Sequence, residues 1–293
     1  MSVELVIPAL VAIVGGVVAG LVRWPLRPAV AMSVLTGIAI SVAATVSLVV
    51  AAAVIGLAAR SALVLSLIEW CPVVPLHHQV GLVEGFLAIA LTAVACIRIR
   101  RVLRRRRWAI EGTAGEHLSV LDTNEPIAYA APGDPGCVVV SRGLLDSLTP
   151  RQRQVVLAHE RAHLHHKHHR FLLAAELALA IVAPLGPLVE QIRLATERAA
   201  DDDAVEAMGG DRQLVAQTIA RAALTGHAYS NAVGAFGGAS IPARIDALVG
   251  PPRAGGLRVM AALGSVATAL TVVASGSIQA HHLVDLVGHI CNL

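Results

Sequence analysis

Aromatic residues make up only 3% of the 293-residue sequence, and charged residues only 15%. A soluble domain carries about 25% charged and about 45–50% apolar residues. Here the apolar share is 56% and the mean hydropathy is +0.69. These values exclude a disordered chain and argue against an ordinary soluble globule. Lysine is nearly missing: Lys167 stands alone against 22 arginines. Net charge is only +3, and seven of the arginines fall between Arg98 and Arg107, so the basic character is local. That run has no interleaved aromatics beyond Trp108, which argues against direct nucleic-acid binding and for an anchor beside anionic membrane lipid. Four cysteines are too few for a disulfide scaffold.

What the chain has in plenty is Ala, Val and Leu, in runs suited to a membrane. Crossing a hydrocarbon core of about 30 Å takes about 20 mostly apolar residues. Four runs are candidate spans: 5–22, 30–59, 82–97 and 259–278. The first reads as a retained anchor and not a cleaved signal, because Glu4 precedes it and Arg23 and Arg27 follow it. Arginine placement sets the orientation. Both termini are expected outside, with Arg23, Arg27, the 98–107 run, Arg253 and Arg258 on the cytoplasmic side. The expected organisation is a three-span region over 1–107, a cytoplasmic domain over 108–255, and a last span with a short external tail over 256–293. The fold class expected is a mainly α-helical multi-span membrane protein, with a small β-sheet in its cytoplasmic domain. Cys71 and Cys291 are the two external cysteines on this topology, and the external side is where a disulfide between them can form.

Inside the cytoplasmic segment, 117–121, 127–130 and 137–140 read as short strands and 144–148 as a short helix. Thr149 then caps a longer helix with Pro150 at its first position. That helix carries His159-Glu160-Arg161-Ala162-His163, the pattern H-E-x-x-H. Positions four apart share a helix face, so both imidazoles can reach one zinc, and Glu160 lies beside it as a general base for a metal-activated water. A catalytic zinc needs a third protein ligand. His169 has the right spacing for one known pattern, but that pattern has Gly where this chain has His166, and the helix is expected to run on through Phe171. Glu197 is the better ligand. It lies at i with Asp201 at i+4, so Asp201 can orient a ligating His from behind. The apolar stretch 171–189 is broken by Pro184, Gly186 and Pro187. It reads as a shallow or re-entrant segment or a helix packed on the bundle, since a true span would put Glu197 and His163 on opposite sides.

Taken in order, Ala128-Tyr129-Ala130, Cys137–Leu145, Leu148-Thr149-Pro150, the His159–His163 motif and Glu197-x-x-x-Asp201 resemble the integral-membrane gluzincin peptidases. These include the HtpX and CAAX-type proteases and especially the BlaR/MecR-type peptidases. The resemblance covers roughly 117–205, with 241–248 similar to a later family helix. It implies one zinc per chain held by His159, His163 and Glu197, with Glu160 as general base. It also implies a substrate strand beside Ala128, Tyr129 and Ala130, and a bacterial plasma membrane. BlaR/MecR receptors continue into an external penicillin-binding domain. This sequence ends at Leu293, so no β-lactam sensor is expected. The implied function is peptide-bond hydrolysis at the cytoplasmic face, with a transcriptional repressor in signalling as the implied substrate. The alternatives are membrane-protein quality control and a non-catalytic metal-binding signalling subunit.

Overall fold

The computed structural model describes residues 3–58, 81–110, 117–134, 136–227 and 241–250. Two long apolar helices and a shorter one come first: α1 (Val3–Leu21), α2 (Pro28–Ala58) and α3 (Leu82–Ile110). Three strands follow, β1 (Leu118–Leu121), β2 (Ala128–Ala131) and β3 (Cys137–Ser141). Then come α4 (Arg142–Ser147), α5 (Pro150–His165), α6 (His168–Ile181), a 3-10 turn (Ala183–Leu185), α7 (Gly186–Ala207), α8 (Arg212–His227) and α9 (Ile241–Val249). The fold is mostly helical, with one three-stranded sheet.

Among the described residues, two helices are long and apolar enough to cross a membrane, Pro28–Ala58 and Leu82–Arg106. The apolar part of α1, Val6–Leu21, is shorter. The third expected span continues without a break through the arginine run, so Arg98 to Arg106 extend α3 as helix. Only 11% of the apolar stretch of α3 is buried, and Val83, Phe86, Leu87 and Leu91 lie exposed along it. The expected span 259–278, the external tail, Cys71 and Cys291 lie outside the described residues. Of the described cysteines, Cys96 is exposed and Cys137 buried, and both are free.

The stretch 171–189 forms a helical hairpin. α6 runs out, the 3-10 turn reverses the chain, and α7 runs back. Its inward residues Ala175, Ala178, Leu185, Leu188 and Ile192 share one core with Ala12 and Ala19 of α1 and Leu35, Ala39, Val42 and Ala43 of α2. Six of its fourteen buried residues are alanines, which lets helix backbones approach closely. Gly20 shows how closely: a Cβ there would run into the Pro187–Leu188 backbone of α7.

One expectation about this region is corrected. The helix carrying H-E-x-x-H does not continue through residue 171. It ends at His165, and Lys167 adopts a left-handed conformation (φ 53°) before α6 begins. A non-glycine residue there costs about 1 kcal/mol. The docking of α6 against α2 holds the turn in place.

The sheet has order β1-β3-β2, with β1 parallel and β2 antiparallel to the central β3. β3 is buried along its whole length. Ser141 closes it: its Oγ accepts from the Leu144 amide to cap α4 and from the Ile127 amide to pin the start of β2. Thr149 and Gln152 form a capping box at the start of α5, with Pro150 in the first turn. This fixes where that helix begins, and hence which face its histidines present.

Candidate metal centre

His159 and His163 share the face of α5 that looks at α7, where Glu197 points back at them. Their side chains are partly buried, 14% exposed for each imidazole and 27% for the carboxylate. One ligand atom from each lies within 4.8 Å of the other two. The His159 and His163 Nε2 atoms are 3.2 Å apart. Glu197 Oε2 lies 3.6 Å from His159 Nε2, and Oε1 lies 3.7 Å from His163 Nε2. Tetrahedral bonds of about 2.0–2.1 Å separate neighbouring donors by about 3.3 Å. The three donors therefore fit a tetrahedral zinc, and two imidazoles with one carboxylate leave a fourth position open, as catalytic zinc sites do.

Behind the donors the site is tied together. His159 Nδ1 donates to Asp201 Oδ1 at 3.0 Å, which leaves Nε2 free to bind metal. Arg244 of α9 then holds both acids of α7. Its Nε and one terminal nitrogen grip Asp201 at 2.8 and 2.7 Å, and its other terminal nitrogen lies 2.9 Å from Glu197 Oε2. His163 is backed by His168, the first residue of α6, with the two Nδ1 atoms 3.0 Å apart. Burial pushes the His168 imidazole down to about 4, so it is neutral at pH 7 and its Nδ1 can accept from His163. The left-handed turn at Lys167 is what swings His168 into this place. His169 is not one of the three clustered donors, and its backbone carbonyl accepts from Arg106.

With no cation between them, the two imidazoles titrate in opposite directions. Burial lowers His159, but hydrogen bonds to Asp201 and Glu197 more than offset this and raise it to about 10. Burial and the neighbouring His159 charge lower His163 to about 3. Glu197 stays ionised: burial raises it, but the hydrogen bond and charge of His159 and the charge of Arg244 outweigh that. Burial lifts the Glu160 carboxyl above the usual carboxylate range, against the pull of the His159 charge.

The sheet edge completes the site. β2 borders the sheet and packs on α5. The Ser141 amide donates to the Ile127 carbonyl, so Tyr129 and Ala131 continue the alternation of residues bonded to β3, and Ala128 and Ala130 turn their backbone groups to the open edge. The Ala130 amide faces the Glu160 carboxylate.

Reading the sequence alone missed Arg244 and His168. Two acids four apart on a buried helix face imply a counter-ion, but nothing selects one arginine among 22. His168 was hidden by the assumption of a continuous helix.

No curated protein and no solved structure matches the chain. Residues 98–235 match the model of Peptidase family M48. The match runs from the arginine-bearing half of α3 past all three candidate ligands and stops short of α9 and Arg244. Across that stretch, with its His–His–Glu cluster and adjoining glutamate, the chain is similar to a membrane-type zinc metallopeptidase family.

Proposed function

We propose that this protein is a membrane-embedded zinc metalloendopeptidase that hydrolyses peptide bonds at the cytoplasmic face. The observation that carries the reading is the convergence of His159, His163 and Glu197 on one point, with Glu160 beside it. Zinc, when bound, polarises the scissile carbonyl and makes a water acidic enough to attack it at neutral pH. The remaining roles belong to the chain. A substrate in extended form adds to the open edge of β2, where the backbone groups of Ala128 and the Ala130 carbonyl are turned outward and Tyr129 continues the strand. Glu160, its proton affinity raised by burial, takes the proton from the attacking water and returns it to the leaving amine. Asp201 fixes the tautomer of His159, and Arg244 holds Glu197 and Asp201 in register.

The exposed apolar surface of α3 and the two long apolar helices support a place in the membrane. The arginine run at the end of α3 supports a cytoplasmic position for the domain that follows. A BlaR/MecR-like role, with a transcriptional repressor as substrate, is the finer reading we favour; its support is the sequence resemblance and the order of spans. Glu160→Ala tests the chemistry. It is expected to retain zinc and to lose about 10²–10⁴-fold in peptide hydrolysis. Retained activity in a zinc-loaded Glu160→Ala protein would remove Glu160 as the base. Wild-type protein that binds zinc but cleaves no peptide would point to a non-catalytic metal receptor.

A further inference from the structure

The arginine run is more than a band of charge at the end of α3. At 3.6 residues per turn, Arg98, Arg101, Arg105 and Arg106 fall on one face and Arg100 and Arg104 on the other. The structure keeps this division. The first four line a cavity of about 960 Å³ between α3 and the α6–α7 hairpin, whereas Arg100 and Arg104 take no part in it. Glu197 of the metal centre lies in the same wall, as does Glu176.

The acids of this cavity already have cations. Glu176 is held by Arg106 at 3.0 Å and Arg193 at 3.6 Å, and Glu197 by Arg244 at 2.9 Å. Among the described residues, Arg98, Arg101 and Arg105 have no carboxylate within salt-bridge distance, and all three are exposed. The cavity thus presents uncompensated positive charge along one side and a metal ligand in its wall. Arg100 and Arg104 lie off the cavity wall, where arginines serving only as headgroup contacts would sit. From Arg98 to Arg105 the helix rises about 10 Å, the length of about three extended residues.

We propose that this cavity is the substrate side of the metal centre, and that it takes a peptide segment carrying about three acidic side chains, held by Arg98, Arg101 and Arg105 while the adjoining peptide bond lies at Glu160. The proposal rests on the peptidase reading and names its substrate class.

The test uses the full chain in phosphatidylcholine nanodiscs and three fluorogenic peptides. They share a cleavable core and carry three Glu, three Gln or three Arg beside it, on either side in turn. The acidic peptide is expected to be cleaved best and the basic one worst, with about tenfold in kcat/KM between them, set by KM and shrinking as salt rises. Arg101→Glu combined with Arg105→Glu should invert the order in favour of the basic peptide, which a misfolded protein cannot do. The paired Gln substitutions should flatten it. Fluorescence anisotropy of the same peptides on zinc-loaded Glu160→Ala protein separates binding from cleavage. If nothing is cleaved but the acidic peptide binds more tightly and loses this on charge reversal, the peptidase reading fails and the groove stands. An acidic peptide that binds no better than the basic one overturns the proposal, with or without cleavage. So does a charge reversal that abolishes flotation with phosphatidylglycerol vesicles yet leaves the peptide order intact, since the arginines are then lipid contacts.

Discussion

Arg244 ties α9 to both acids of α7. Its guanidinium joins two carboxylates that would otherwise repel across one helix face, and it is only 11% exposed. Arg244→Ala is expected to weaken zinc binding by about 10–100-fold, as loss of a group behind a metal ligand does; competition with a chelator of known affinity measures this. The zinc-free site also holds a proton. His159, raised to about 10, is charged at pH 7, while His163, lowered to about 3, is neutral. The raised His159 stabilises the metal-free fold below its ordinary value near 6.5, and that contribution fades as pH climbs through about 10. Zinc must displace the proton, so its affinity should rise with pH over the same window. Binding at pH 7 should release about one proton per chain from His159. Calorimetry in buffers of different ionisation enthalpy reads this directly; an uptake of protons would contradict it. Residue types and spacing displayed three donors and a base because helix periodicity alone puts positions four apart on one face. Arg244 and His168 reach the site by tertiary folding, and no local pattern encodes that.

Among the elements, α7 has two duties: its first half packs into the core shared with α1 and α2, and its second half carries Glu197 and Asp201. Gly20 is where α1 meets it. Gly20→Leu pushes a side chain into the Pro187–Leu188 backbone and is expected to destabilise the protein by about 1–3 kcal/mol. Gly37→Ala on α2 adds a methyl to open space and serves as the control. Thermal midpoints of the detergent-solubilised proteins compare the two; equal midpoints would mean α1 yields freely. The strands, the cap at Thr149 and the three N-terminal helices were legible because their signals are local: turn residues, a cap and apolar length. The break after His165 was not. Left-handed backbone at Lys167 has no favourable residue type to announce it, and the packing of α6 against α2 that follows the turn is tertiary.

At the scale of the whole molecule, the arginine distribution predicts a topology that fusion reporters can read. A reporter after Arg107 should score cytoplasmic, and one after Asn292 external. The reverse would place the metal centre outside and remove any cytoplasmic protein as its substrate. Apolar length made the likeness to a membrane protein plain from sequence, yet which helices touch was not readable, since Ala- and Val-rich faces look alike all round. The hairpin has a further consequence, in the timing of synthesis. His163 leaves the ribosome about 34 residues before Glu197, roughly 2–7 s at ordinary elongation rates. During that interval the histidines have no carboxylate opposite them. Glu197 is then set in place only as α6 and α7 pack on α1 and α2. The three-donor site is therefore completed late, once the hairpin has closed on the helices made before it.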